Sequence, residues 1–237
     1  MSQSYYTPEE AQALFTQANE AYAREDYKAA QEGYQKLLSR GQGGPDVQYN
    51  LGTTYLAQGD LGRAMLALER AWKEGGRAPD LEANLALARA RQVDKVEGAT
   101  VEEDFLTRVV HATSPSAVSW GFLGAWVLGF GLLVLFRFLK PGRRTWVAVL
   151  AGLALTVAVP SGALLAAHVW VHDTVREAVV LAPKLVAREF PRGEAKVLFE
   201  VHAGLKVRLL EDTGRYVRLR LPNGLEGWAE REGIEQL

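Results

Sequence analysis

AVSWGFLGAWVLGFGLLVLF, residues 117–136, decides the architecture, because it is a run of 20 residues with no charged side chain. As an α-helix rising about 1.5 Å per residue it is about 30 Å long, the thickness of a bilayer's hydrocarbon core. A core helix of a soluble protein keeps a charged face over such a length, and this one has none. Further on, Thr145–Val171 runs for 27 residues with His168 as its one titratable group. That length lets it tilt, kink near Pro160 or emerge from the bilayer. Between the two runs lie Arg137, Lys140, Arg143 and Arg144, with no acid. The expectation is two membrane spans joined by a short basic loop, hence an antiparallel hairpin.

Averages over the whole chain hide this. Its 237 residues carry a formal net charge of −1 with 48% hydrophobic residues, and the mean hydropathy is −0.07. Residues 1–116 hold 12 basic and 17 acidic side chains, residues 117–171 hold 4 and none, and residues 172–237 hold 11 of each. The absence of cysteine excludes a disulfide framework, thiol chemistry and Cys-ligated zinc or iron–sulfur sites. Near-neutrality argues against a nucleic-acid binder working through bulk charge.

The ends of the apolar runs fit membrane spans. Ser114-Pro115 reads as a helix start, with Ser as cap and Pro pre-set for the first turn. Trp120 and Trp126 lie in the early turns of the first span, and Trp146 and Trp170 near the two ends of the second, where amphipathic rings favour the headgroup layer. Gly121, Ala125 and Gly129 form one small-residue stripe, and Ala154, Ala158, Gly162 and Ala166 another. Such stripes let helices approach closely, within the hairpin or against another protein. The four basic loop residues are the topology determinants: they mark the cytoplasmic side and put both termini outside it, in the periplasm of a bacterial inner-membrane protein. An N-terminal domain on that side ordinarily needs a secretory signal, and Met1–Tyr6 has no basic and apolar run, so a missing or mis-assigned start is expected.

The N-terminal segment repeats with a period of 34: Asp26 aligns with Asp60, Ala30 with Ala64, Tyr34 with Leu68, Leu37 with Ala71 and Ala18 with Gly52. The second unit reads Tyr49-Asn50-Leu51-Gly52, Tyr55, Gly59-Asp60, Ala64, Leu68, Ala71; in the first, Glu25-Asp26 replaces the Gly-Asp turn. A third start, entered at Pro79-Asp80 and continuing Asn84-Leu85-Ala86-Leu87, has no second helix and reads as a cap. Over about residues 7–93 this resembles the tetratricopeptide repeat, a helix-turn-helix unit of that length, here as two repeats plus a capping helix, near the lower limit for a stable stack.

The resemblance implies a concave groove that binds an extended peptide or a partner helix. The groove positions it implies are Phe15, Asn19, Tyr22, Tyr49, Asn50, Thr53, Leu56, Ala83, Leu87 and Arg91. Asn19 and Asn50 match the asparagines of the subfamily that clamps a terminal carboxylate. Phe15, Asp80 and Asn84 stand where that subfamily has its Lys, Lys and Arg, so a carboxylate clamp is not expected. The simplest reading of Asn50 and Asn84 has them hydrogen-bonded to neighbouring backbone.

Residues 94–116 link this domain to the first span. Val101, Phe105, Val109 and Val110 share a helical face, which suits either an interfacial helix or a plain linker. The spans are set at 117–139 and 145–171 around a basic loop at 140–144.

The C-terminal segment, 175–237, alternates like half-buried strands: Ala178–Leu181, then Val197/Phe199/Val201, Leu205/Val207/Leu209 and Val217/Leu219/Leu221, with Gly227-Trp228 returning to the core. Pro222-Asn223-Gly224 supplies a hairpin turn with positive φ at both Asn and Gly. Five strands predict a small β-barrel with Trp228 inside it. From Val197 onward this resembles the bacterial SH3 domain, but Lys184–Arg192 departs from that family's usual ligand loop.

No catalytic constellation stands out. His168 and His172 lie one helical turn apart without a third ligand nearby and read as a bland interfacial pair. There is no phosphate loop and no nucleophile elbow, and Glu102-Glu103-Asp104 reads as a solvated surface. No enzyme activity, cofactor or metal is expected.

The order of parts is similar to the BatE family of bacterial aerotolerance operons: tetratricopeptide repeats, a two-span hairpin and a bacterial SH3 domain. The stretch Asn84–Arg91 and the Ser114-Pro115 entry also resemble that family. This implies a non-enzymatic membrane scaffold whose partners are other Bat proteins, including von Willebrand A-domain proteins, with a MoxR-type ATPase in the same system. The alternative is an envelope-binding module that anchors to peptidoglycan or a wall peptide through the SH3-like part.

Overall fold

The computed structural model describes residues 6–76, 79–95, 109–110, 112–174 and 176–237. The chain forms two compact units, Met1–Ala99 together with Arg176–Leu237, and Thr100–Val175. The acidic run Glu102-Glu103-Asp104, Val101 and Phe105 of the proposed interfacial face, and His111 lie outside the described residues.

In the first unit five helices run α1 (Pro8–Ala23), α2 (Tyr27–Ser39), α3 (Pro45–Gln58), α4 (Leu61–Lys73) and α5 (Leu81–Arg91). Four of the five starts have a local cause. Thr7 and Glu10 form a reciprocal capping box on α1, and Pro45 takes the first position of α3. Asp26 and Asp60 cap α2 and α4, each accepting from the backbone N–H three residues on, at 3.1 Å. These caps are 34 residues apart, and the same spacing relates the fully buried pairs Ala30/Ala64 and Tyr34/Leu68. The two helical pairs therefore share one packing plan.

They execute it with glycine on opposite helices. A Cβ on Gly33 of α2 would lie 2.8 Å from the Ala18 Cβ, and one on Gly52 of α3 would lie 2.7 Å from Leu68. The turns differ too. Gly59 ends α3 at φ 80°, whereas in the first pair Glu25 takes the left-handed conformation, at φ 61°, which costs a side-chain-bearing residue about 1–2 kcal/mol.

The C-terminal segment is an antiparallel sheet of seven strands, β1 (Arg176–Val180), β2 (Lys184–Arg188), β3 (Val197–His202), β4 (Lys206–Asp212), β5 (Tyr216–Arg220), β6 (Glu226–Glu230) and β7 (Ile234–Gln236). Their order is β3-β2-β6-β5-β4-β1-β7, so the sheet is open, with β3 and β7 at its edges. The sequence pattern yields five of these. It misses β2, whose inward residues are only Leu185 and Ala187, and β7, which is three residues long. One apolar face curls around a single core to which Val180, Leu185, Val201, Val207, Leu219, Ala229 and Ile234 all contribute.

Trp228 is not part of that core. Gly227 and Ala229 point inward, and period-two alternation turns Trp228 to the opposite face, half-buried between its strand partners Arg188 and Arg218. At the β5–β6 turn only Gly224 has positive φ, 86°. Pro222 holds its own φ negative, and Asn223 accepts from the Leu225 N–H at 3.2 Å.

Helices and sheet share one unit because β1 is buried on both sides. Ala178 and Val180 belong to the sheet core, and Val179 belongs to the helical core together with Leu181 and Leu237. This is why Ala178-Val179-Val180-Leu181 reads as a continuous apolar run. A Cβ on Gly62, at the start of α4, would lie 3.0 Å from the Leu181 backbone.

The second unit is a helical hairpin, α6 (Pro115–Phe138) and α7 (Pro141–Thr174), both long and apolar enough to cross a membrane by length and composition. The connection is shorter than expected. Only Leu139 and Lys140 lie between the helices, and Arg143 and Arg144 sit in the first turn of α7, which continues through Pro160. Arg144 Nε donates to the Leu139 carbonyl at 2.7 Å.

On α6, half-buried and buried positions fall at Val118, Phe122, Ala125, Gly129, Leu132 and Phe136, a three-four spacing. They meet Ala151, Ala154 and Ala158 of α7, all buried. Gly129 packs on Leu155 and Gly162 on Phe122. The stripes thus mate within the hairpin, with two exceptions: Gly121 has open surroundings and Ala166 is exposed. Both sit one helical step off the seam. Trp120, Trp126, Trp146 and Trp170 are all exposed.

Candidate functional site

The face of the helical array formed by α1, α3 and α5 holds a recess of about 530 Å³. Asn19 and Tyr22 reach it from α1, Tyr34 from α2, Tyr49, Asn50, Thr53, Leu56 and Ala57 from α3, and Asn84, Leu87 and Arg91 from α5. Helical spacing explains the selection, since Asn84, Leu87 and Arg91 are i, i+3 and i+7 on one face of α5.

Eight of the ten expected groove positions therefore line one recess, and two do not. Phe15 turns toward the helical core and packs edge-on against Tyr34, with ring centroids 6.1 Å apart. Ala83 is exposed on the flank of α5, and its neighbour Asn84 takes the groove position. Tyr34, Ala57 and Asn84 were absent from the expected set. Tyr34 was hidden by its role as the core equivalent of Leu68, which left no signal that its hydroxyl reaches the recess.

The polar side chains are linked to one another. The Tyr34 hydroxyl donates to Asn19 Oδ1 at 2.6 Å, and Asn50 Nδ2 donates to the same oxygen at 3.0 Å. Asn84 Nδ2 donates to the Tyr49 hydroxyl at 3.1 Å. Asn50 and Asn84 thus bond side chains across the helices rather than neighbouring backbone. The Asn50 carbonyl accepts from the Thr53 and Thr54 hydroxyls at 2.9 and 2.7 Å, which fixes its turn of α3. Burial, with a smaller contribution from Tyr22, pushes the Tyr34 phenol up to about 12. Burial also raises Tyr49, helped by Asp80 and Tyr22 and opposed by the Asn84 hydrogen bond. Both hydroxyls are neutral across the physiological range.

Arg91 is the one charged residue among those lining the recess, and its guanidinium donates to the Leu56 carbonyl at 3.2 Å. The rest of the lining is amides, hydroxyls and an apolar wall of Leu56, Ala57 and Leu87.

The sheet-covered side of the helices is built differently. Glu69 of α4 is buried, and it pairs with Arg89 at 2.9 Å and Lys206 at 3.2 Å. Lys206 reaches on to Glu177 at 3.1 Å, which also meets Lys73 at 3.0 Å. Arg70 pairs with Glu235 and donates to the Gln236 carbonyl, both at 2.8 Å. Past α5, Gln92 donates to the Gly204 carbonyl, and Asp94 binds the His202 backbone N–H at 2.6 Å and its Nδ1 at 2.9 Å. Nothing in the sequence pattern joins these residues, since Glu69 and Lys206 are 137 positions apart.

Among the described residues no three His, Cys, Asp or Glu side chains cluster in a way that could hold a metal ion. His168 Nε2 lies 2.9 Å from the Thr113 hydroxyl, and the side chain of His172 is outside the described residues. Comparison with known protein families and with curated protein sequences finds no match to this chain.

Proposed function

We propose that the chain is a membrane-anchored, non-enzymatic adaptor whose helical groove holds a protein partner. The helical pairs act as a tetratricopeptide-type stack, the sheet as an SH3-like module bracing it from behind, and the hairpin as a two-span anchor. The observation that carries this reading is the recess itself. It lies on the face formed by α1, α3 and α5, its walls are aromatic and amide-rich with Arg91 as their one charged residue, and the sheet packs on α4 and leaves it uncovered.

The anchor reading has independent support. Residues before and after the hairpin belong to one compact unit. A chain that leaves and returns to one folded body crosses a bilayer an even number of times, and α6 and α7 supply two crossings. The basic cluster Arg137, Lys140, Arg143 and Arg144 then orients the hairpin with its loop in the cytoplasm and the first unit in the periplasm of a bacterial inner membrane. The family resemblance points to a Bat/MoxR-type envelope stress-tolerance complex, with a von Willebrand A-domain protein as the groove's partner.

The test is affinity purification of the full chain from native membranes in mild detergent. Wild type should retain a von Willebrand A-domain protein, and Tyr22→Glu, at the half-exposed groove edge, should lose it. Equal recovery by both, or none by either, overturns the assignment. A second reading, peptidoglycan or wall-peptide binding, is favoured by the outward position of Trp228 between Arg188 and Arg218. Retention of the full chain on purified sacculi, abolished by Trp228→Ala, would establish it.

A further inference from the structure

We infer that the turn at 202–205, between β3 and β4, is a clasp on the two chain ends that lead to the membrane hairpin, and that it shields the α5 wall of the recess from movement of that hairpin. This rests on the hairpin being a membrane anchor and not on what occupies the recess. The described chain of the first unit runs to Lys95 on the exit side and resumes at Arg176, the start of β1. Both stretches bind the same turn. On the exit side the His202 backbone N–H donates to Asp94 Oδ2 at 2.6 Å, the imidazole Nδ1 lies 2.9 Å from Asp94 Oδ1, and Gln92 Nε2 donates to the Gly204 carbonyl. On the return side the Gly204 N–H donates to the Val180 carbonyl at 2.8 Å, and the Val180 N–H donates to the Leu205 carbonyl at 3.0 Å.

The turn is seated on α4 as well. Gly204 takes φ 91°, a conformation that a side chain opposes, and a Cβ there would lie 3.0 Å from Leu61. Lys206, the first residue of β4, meets the buried Glu69 of α4, which also holds Arg89 of α5. The sheet end of the clasp is therefore fixed at two places on α4.

The α5 helix is held less firmly. It has 11 residues, a length that is marginal for an isolated helix in water, and no side-chain cap at its start. One row, Leu81, Leu85 and Ala88, is buried in the helical core, and the row Asn84, Leu87 and Arg91 is the recess wall. A displacement arriving along the chain from α6 meets Asp94 and Gln92 before it meets α5. With the clasp closed, the Asp94 carboxylate passes that load into the sheet and α4. Its side chain is only 16% exposed, and its bond to a backbone N–H is charge-assisted. With the clasp open, the load falls on the last turn of α5, which then peels away and widens the recess at Arg91.

The chain has no cysteine, so label pairs can be introduced without removing native residues. Thr16→Cys with Ala86→Cys places spin labels at exposed positions of α1 and α5, and Thr16→Cys with Gln58→Cys gives a control pair on α1 and α3. The full chain is reconstituted into thin and thick bilayer nanodiscs, since hydrophobic mismatch changes the tilt of the spans. Distances are read by double electron–electron resonance. With the clasp intact, the α1–α5 distribution should be the same in both bilayers. In the double variant Gln92→Ala, Asp94→Ala it should broaden at least about twofold and shift between the bilayers, and amide exchange in α5 should quicken at least about tenfold. The α1–α3 pair should not change.

An intact chain whose α1–α5 distance already follows bilayer thickness overturns the inference. So does a cut clasp that leaves the distribution unchanged, or one that broadens it identically in both bilayers, which would make the contact a structural tie alone. Should the double variant lose its native melting transition, Asp94→Asn and His202→Ala, which each weaken one arm, are judged by the same criteria. Failure of the intact chain to enter either bilayer removes the anchor reading, and this inference with it.

Discussion

The two sides of the helical array are built on opposite principles. On the groove side, Asn19, Asn50, Asn84, Tyr34 and Tyr49 bond one another as neutral groups, with a single cation at the edge. On the sheet side, Glu69, Glu177 and Lys206 form a charged chain flanked by Arg89 and Lys73, around the apolar plug of Val179, Leu181 and Leu237. The contrast separates two jobs. Buried charges need fixed, paired partners, so the sheet side is committed to an internal neighbour. Half-satisfied neutral amides tolerate solvent and can exchange it for a ligand, so the groove side is left available.

The comparison is tested hardest at Val179. It is fully buried in the helical core while its neighbours Ala178 and Val180 are fully buried in the sheet core. Val179→Asp places an unpaired charge at the junction and should destabilise the first unit by about 3–5 kcal/mol in denaturant melts of the full chain. A loss below about 1 kcal/mol would mean that helices and sheet are only loosely associated.

Glu69→Ala comes next. It leaves Arg89 and Lys206 without their buried carboxylate and should cost about 2–3 kcal/mol, less than a fully buried pair because both cations are partly solvated. Asn19→Asp on the groove side should cost well under half of that in the same melt, which would fail if both faces served only as structural supports.

The pH dependence sharpens the same contrast. Burial pushes the Glu177 carboxyl up, but Lys206 and Lys73 outweigh it and hold it below the usual carboxylate range. Its stabilisation is present above about pH 4.3 and disappears as pH falls through the lower folded value. Burial pushes Lys206 down, but Glu69 and Glu177 outweigh it and hold the amine above its ordinary value. That contribution is present below about pH 10.4 and is lost as pH rises through the folded value. Melting temperature against pH should therefore be flat between these limits and fall at both ends. Lys206→Met should blunt both falls.

The smallest effect concerns the turn that distinguishes the two helical pairs. Glu25 adopts the conformation that Gly59 adopts in the second pair. Glu25→Gly should raise stability by about 0.5–1 kcal/mol, the left-handed penalty less glycine's greater entropy loss. A loss of stability would show that the Glu25 side chain contributes something beyond the turn.

Sequence legibility followed locality. The apolar runs, the 34-residue spacing and the aspartate caps are short-range patterns, and of the ten groove positions implied by the repeat resemblance eight line one recess. Phe15 was misplaced because an aromatic on an amphipathic helix looks alike whether it faces a groove or the core. Trp228 was misplaced because its size suggested burial, whereas the buried parity of β6 belongs to Gly227 and Ala229. Strand β2 was missed because alanine is a weak inward signal. The sheet's attachment to α4 depends on residues more than 100 positions apart, and no local pattern encodes it.

The most direct test of the two-sided account is site-specific photo-crosslinking of the full chain in native membranes, from two positions of similar exposure. Leu87 lines the groove and is 42% exposed, and Trp72 lies on α4 outside it and is 49% exposed. A photoreactive residue at Leu87 should give a discrete adduct that Asn19→Asp diminishes, and one at Trp72 should give none. A common adduct from both positions, or one from Trp72 alone, would contradict the assignment of binding to the groove.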